Sequence, residues 1–350
     1  MSPPSDDPHE ATNETLRVGV AGFGSMGRNH VRNLLARDDV RLVAVAEPEE
    51  SGRLAVGQQA PDVATFPDPH EMLASVAMDA IVVAIPTTLH HGVAIDAIER
   101  GVAVLVEKPI APTVAEGRAM VEAANANGVL LQVGHIERFN PAVLELARRL
   151  RSGALSRIFT VRTIRGGPTP ERIQDVGVGI DLATHDVDVI CHLLGAQPTR
   201  IYAEATRHVH TAHEDLVYGL LAFPGGVLGQ IDVNWLTPEK QRRVVVLGEE
   251  GMFDVDYLSQ ALHFTRGRDD LAPTYLDGYA PMIRGERRSL PVAPGEPLRR
   301  ELDAFFAAVR DGGPAAVTGE EGVRAVALAT MLLRSATEHR PLEIGPGDLG

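Results

Sequence analysis

Leu16 to Gly27 reads LRVGVAGFGSMG, and this stretch constrains the fold more than any other. A short apolar run, Val18 to Ala21, ends in Gly22-Phe23-Gly24-Ser25-Met26-Gly27, and Met26 to Leu35 then has helical character. Strand, G-x-G-x-x-G turn and helix in that order open a dinucleotide-binding unit. Gly22 permits the tight turn, Gly24 lets the backbone approach a pyrophosphate, and Gly27 lets the helix lie close to the strand. The unpaired N–H groups at the helix start then face the anion. A second apolar run, Arg41 to Ala46, ends in Glu47, 20 residues after Gly27. A carboxylate there meets the adenosine ribose hydroxyls and repels a 2′-phosphate, which points to NAD before NADP. Arg53, close in sequence, softens that preference.

The same grammar continues for another 90 residues or so. Ala80 to Ile85, Val102 to Val106 and Val129 to Val133 are continuous apolar runs, as strands buried on both faces of a parallel sheet require. Helical segments separate them, so right-handed crossovers and one doubly wound parallel sheet follow. Ligands then bind beyond the carboxyl ends of the strands. Glu47, Pro86, Glu107-Lys108-Pro109 and His135 fall at that edge.

After Pro141 the pattern changes to longer segments with partial alternation and short turns, such as Pro224-Gly225-Gly226. This predicts an α+β domain with an open, mainly antiparallel sheet and a helical layer on one face. A helix is expected from about Asp181 to Leu194, and two more over Leu298–Arg310 and Glu320–Thr337. The expected division is a disordered tail over 1–15, a Rossmann domain over 16–136, and a substrate-binding and oligomerisation domain over 137–350. The uncovered sheet face must meet solvent or a second subunit.

Charge and cysteine content narrow the partners. The 33 Lys and Arg against 47 Asp and Glu leave a net charge of −14, which argues against nucleic acid and anionic membrane surfaces. Cys191 is the only cysteine, so no intrachain disulfide or Cys-based zinc site is possible, and a reducing cytoplasm suits the chain. No apolar run approaches the ~20 residues that span a bilayer. The polar, acidic start lacks the basic and apolar regions of a secretory leader. His185, Asp188 and His192, and the stretch His208 to His213, lack familiar zinc spacing, and no metal is expected.

Two places carry candidate chemistry. Lys108, at a strand end, puts an ammonium where it can hydrogen-bond a substrate hydroxyl and move protons. Asp181, His185 and Asp188 stand at i, i+4 and i+7, on one helical face. A carboxylate one turn from an imidazole can orient it and stabilise its protonated form, which suits a base for a hydroxyl proton. On spacing alone, a helix cap with a partly buried histidine is the better account.

GFGSMGRNH at 22–30, AIPTTLHH at 84–91, EKP at 107–109 and DLATHDVD at 181–188 together resemble the glucose–fructose oxidoreductase and inositol dehydrogenase family (Gfo/Idh/MocA). The resemblance covers nearly the whole chain after the tail. It implies an NAD-dependent dehydrogenase with Lys108 and His185 as the catalytic pair and Asp181 holding substrate. It places the cofactor against Gly22, Phe23, Gly24, Ser25, Met26, Gly27, Glu47, Pro86, Thr87, His90, Glu107 and Lys108, and it implies dimers or tetramers paired through the open sheet. VGHIERFNPAV at 133–143, RIQDVGVGIDLATHDVDV at 172–189 and NWLTPEK at 234–240 look more narrowly like the nucleotide-sugar branch, in particular UDP-N-acetylglucosamine 3-dehydrogenases. Ala183 stands where the wider family has Gly. That likeness implies oxidation of a secondary hydroxyl, at C3 of UDP-N-acetylglucosamine or a related nucleotide sugar. Arg138, Phe139 and Asn140 would line the pocket, with Arg165 and Arg172 as diphosphate partners or, equally, as solvated loop arginines. Inositol, a free sugar or an aminocyclitol is the alternative substrate. A noncatalytic NAD(P)-binding regulator is the alternative of another kind, disfavoured by an intact Lys108 and His185.

Overall fold

A computed structural model describes residues 15–169, 176–209, 212–267, 286–345 and 347–349. The expected tail at 1–14, Arg172 and His210 lie outside the described residues.

The first domain holds β1 (Leu16–Ala21), α1 (Ser25–Leu35), β2 (Val40–Ala46), α2 (Glu50–Gln59), β3 (Ala64–Phe66) and α3 (Pro69–Ser75). It continues through β4 (Ala80–Val83), α4 (His90–Glu99), β5 (Ala103–Glu107), α5 (Val114–Asn127) and β6 (Leu131–Gly134). The strand order is β3-β2-β1-β4-β5-β6 and every pairing is parallel, which is the doubly wound sheet that the sequence predicts. All four residues of β4 are buried, so helices cover both faces. The order reverses between β1 and β4, and a crevice opens there at the strand ends.

The second domain contains α6 (Pro141–Arg151), β7 (Ile158–Gly166), α7 (Val178–Asp181), α8 (Ala183–Leu194), β8 (Arg200–Thr206), β9 (Leu216–Ala222) and β10 (Leu228–Asn234). It ends with β11 (Gln241–Gly248), β12 (Gly251–Asp256), β13 (Ala261–Arg266), β14 (Arg287–Leu290), α9 (Pro297–Asp311), α10 (Gly319–Glu338) and β15 (Leu342–Glu343). Its nine strands run β14-β13-β12-β11-β7-β10-β9-β8-β15, antiparallel except for the central β7·β10 pair. Val217, Leu221, Ile231, Val233, Val244 and Val246 alternate onto the face that packs on α8 and α10. Tyr218, Leu220, Leu228 and Leu247 stand exposed on the other.

Three features depart from the expected pattern. β14 and β15 are too short to show alternation, with four and two residues. The helix expected from Asp181 is interrupted: α7 ends at Asp181, and Leu182 N bonds back to Val178 O before α8 begins. The chain also returns to the first domain. Leu298, Leu302, Phe305 and Phe306 of α9 pack in one core with Val18, Val20, Val31 and Leu34. α10 then serves both cores, with Val323 and Val326 in one and Leu328 and Leu332 in the other.

Candidate active site

The glycine loop is tightly closed on one side and open on the other. Gly22 has φ +94°, and a Cβ there would lie 2.3 Å from Ala84 O. A Cβ on Gly27 would lie 2.0 Å from Gly22 O, whereas one on Gly24 would meet nothing within 4 Å. Gly24 is the N-cap of α1 and no side chain caps that helix. Free N–H groups over open space fit a pyrophosphate. Glu47 Oε2 accepts from Phe23 N at 2.8 Å and Oε1 from Glu49 N at 3.1 Å. The carboxylate is thereby held at the loop with lone pairs left for ribose hydroxyls. Arg53 Nη1 donates to Glu47 O at 2.8 Å and Pro48 O at 2.6 Å, which keeps its charge at the same corner. Ser25 and Pro86 are exposed, Met26 and Thr87 half-buried, and Phe23 turns its ring into the core.

Two expected cofactor residues have other duties. His90 is buried, with Nε2 2.9 Å from Ile85 O and Nδ1 3.0 Å from Pro109 O. Burial pushes its pKa down, so the neutral ring donates to one carbonyl and ties the loop after β4 to the Lys108–Pro109 loop. Glu107 Oε1 lies 2.7 Å from His30 Nε2, which joins β5 to α1.

Lys108 crosses the domain joint. Its Nζ donates to Asp181 O at 2.8 Å and to Asp181 Oδ1 at 2.9 Å. His185, in the first turn of α8, is half-buried, and its Nδ1 is sealed from solvent with no partner. Burial pushes its pKa well below the ordinary value, and the charges of Lys108 and Arg165 push the same way. This corrects the expectation that Asp181 stabilises a protonated His185. The Asp181 carboxylate is taken by the ammonium of Lys108, and no bond from it reaches the imidazole among the described residues. His135, directly after β6, is an enclosed imidazole; neither ring nitrogen is hydrogen-bonded, and Nδ1 lies 3.7 Å from Asp188 Oδ2. Its position at the strand edge was the available signal, but sequence gave it no role.

The residues expected to line the substrate pocket are engaged within the fold. Arg138 Nε donates to Asp188 Oδ2 at 2.8 Å, Nη2 to Asp188 Oδ1 at 2.5 Å, and Nη1 to Glu321 Oε1 at 2.7 Å. Phe139 packs in the first core. Asn140 caps α6, accepting from Ala142 N at 3.1 Å and donating to Tyr257 O at 3.0 Å. Arg165, buried on β7, donates to Glu137 Oε1 at 2.7 Å and Asp186 Oδ1 at 3.0 Å. For Arg138, Asn140 and Arg165 the physical reason is shared: a buried guanidinium or amide needs partners, and the fold supplies them before any ligand does. Among the described residues no cluster of His, Cys, Asp or Glu is arranged to hold a metal, and no helix is long and apolar enough to cross a membrane.

Residues 16–135 match an oxidoreductase family described as an NAD-binding Rossmann fold, and residues 143–254 match the GFO/IDH/MocA C-terminal domain. The UDP-N-acetylglucosamine 3-dehydrogenase of Acidithiobacillus ferrooxidans is 28% identical over 92% of this chain and 97% of its own length. Its solved structure superposes with a TM-score of 0.80 at 25% identity, covering 93% of this chain and 99% of that one. The myo-inositol 2-dehydrogenase of Thermotoga maritima is 24% identical over 94% of this chain and 98% of its own. With a family match in each half and the cradle and domain joint just described, the chain belongs to the GFO/IDH/MocA oxidoreductases and carries their NAD-binding Rossmann domain.

Proposed function

We propose that this oxidoreductase is an NAD-dependent dehydrogenase that oxidises a secondary hydroxyl of a sugar, at C3 of UDP-N-acetylglucosamine or a related nucleotide sugar. One observation carries the reading: Lys108, at the cofactor edge of the first sheet, bonds Asp181 of the second domain within electrostatic reach of a half-buried, neutral His185. Bound NAD supplies a nicotinamide that accepts hydride. Lys108 uses two of its three N–H donors on Asp181 and points the third at the reacting hydroxyl oxygen. His185 is unprotonated and takes the hydroxyl proton. The second oxygen of Asp181 accepts from a neighbouring sugar hydroxyl.

The nucleotide-sugar choice is supported by likeness to the Acidithiobacillus enzyme along nearly the whole chain and by the segments at 133–143, 172–189 and 234–240. A neutral polyol, as in the Thermotoga relative, is the second reading, favoured by the engagement of Arg138 and Arg165 with carboxylates. The exposed Tyr218, Leu220, Leu228 and Leu247 support a homodimer or homotetramer paired through the second sheet. A lone, half-buried Cys191 suits work in the cytoplasm.

The test is reduced-nicotinamide absorbance with NAD and UDP-N-acetylglucosamine, run beside NADP and myo-inositol. A rise with NAD and the UDP-sugar, with a 3-keto product, is expected. A rise with inositol or a free sugar but none with the UDP-sugar replaces this reading with the polyol one.

A further inference from the structure

Arg242 is the guanidinium at this site that no carboxylate holds. It sits on β11 directly opposite Arg165 of β7. Paired residues of neighbouring strands turn to the same face. Arg242 therefore points to the helix-covered side, in alternation with Val244 and Val246. Like charges directly opposite destabilise a strand pair unless each is compensated. Arg165 has Glu137 and Asp186. Arg242 is half-buried, yet no ion pair reaches it among the described residues, and Glu137, Asp186 and Asp181 act on it only from farther away.

Its hydrogen bonds leave one edge free. Nη1 donates to Gly166 O at 2.6 Å and to Gln241 O at 2.7 Å, which fixes the guanidinium plane against the backbone. Among the described residues Nε and Nη2 have no bonded acceptor, and they are not sealed from solvent. That is the edge with which Arg138 grips Asp188 and Arg243 grips Asp254 in two parallel bonds. Burial pushes the pKa of Arg242 down to about 10, so the site bears a cost that an anion would relieve. The location fits a substrate group, because the charge of Arg242 is felt at His185 and that of Asp181 is felt at Arg242.

The geometry points to Arg242 as the side chain that receives the diphosphate of the nucleotide-sugar substrate through its Nε/Nη2 edge. This assignment rests on the nucleotide-sugar reading above. It gives Arg242 a role that the family likeness offered to Arg165 and Arg172, and makes it a specificity determinant against neutral polyols.

The experiment titrates UDP into the NAD-loaded wild type, Arg242→Met and Arg242→Lys, and compares NAD affinity and Tm. Charge-assisted bonds of this kind correspond to about a 10- to 100-fold loss of UDP affinity in Arg242→Met. Arg242→Lys should fall between, because it keeps the charge without the two-pronged edge. NAD affinity should be unchanged, and Tm close to that of the wild type, since relief of the repulsion from Arg165 offsets the two lost bonds to Gly166 O and Gln241 O. Equal UDP affinity in wild type and Arg242→Met overturns the assignment while the nucleotide-sugar reading stands. A Tm loss that accounts for the weaker UDP binding, with NAD affinity falling in step, shows a structural role and also overturns it. A wild type that does not bind UDP overturns both.

Discussion

The cofactor rim of the first sheet and the wall at the domain joint beside it are built on opposite terms. The rim works through backbone: Gly24 and the first turn of α1 present N–H groups, Gly22 N is spent on Ala46 O, and Glu47 with Arg53 places side-chain charge at one corner. The wall works through buried charge. Arg138 with Asp188 and Glu321, Arg165 with Glu137 and Asp186, and Lys108 with Asp181 come from segments far apart in the chain. A backbone cradle follows from a dozen consecutive residues. A charged wall exists only when several elements have docked, and its groups divide into pairs sealed in the fold and groups left half-exposed. Lys108 and Arg242 are of the second kind, Arg138 and Arg165 of the first.

That division is broken most sharply at Lys108. Lys108→Ala should lower kcat by about 10²–10⁴-fold while NAD binds normally, measured by steady-state turnover and NAD titration. Loss of NAD affinity instead would return Lys108 to the rim. The sealed class predicts a stability effect. Asp188→Ala leaves Arg138 buried with Glu321 alone, and chemical denaturation should show a loss of about 3–5 kcal/mol. A loss below about 1 kcal/mol would mean that the pair is not sealed.

The smallest effect lies behind the rim. Glu301 of α9 is fully buried, neither carboxylate oxygen has a partner, and burial, with the charge of Glu107, pushes its pKa well above the ordinary range. The folded state therefore holds a proton that the unfolded state loses above about pH 4.3. Stability from this group falls as pH rises from there through its folded pKa. Glu301→Gln should match wild type near pH 4, gain a few degrees of Tm at neutral pH, and flatten the pH profile. An equal Tm difference at both pH values would remove this account.

How far these features were legible in the sequence varies with their range. The strand–turn–helix opening and the place of Lys108 at a strand end could be read, because each is short and local; Asp181 and His185 stood out only through the family resemblance, since spacing alone favoured a helix cap. The engagement of Arg138, Asn140 and Arg165 could not. Their partners lie 50 and 183 residues away for Arg138, 117 for Asn140, and 28 and 21 for Arg165. Arg242 has no motif around it, and strand register alone sets it opposite Arg165. The break at Leu182 escaped as well, because DLATHDVD keeps helical spacing across it.

The sequence by itself determined the two-domain plan, the glycine cradle and the residue types that meet at the joint, since these depend on local periodicity and on chain conformations that glycine or a helix start dictates. Tertiary structure decided which charges are paired and which stay open, that His185 is neutral, and that α9 closes the first core rather than the second. Burial and opposing charge act through space, so residues far apart in the chain fix one another's ionisation only after the two sheets and α10 have packed together.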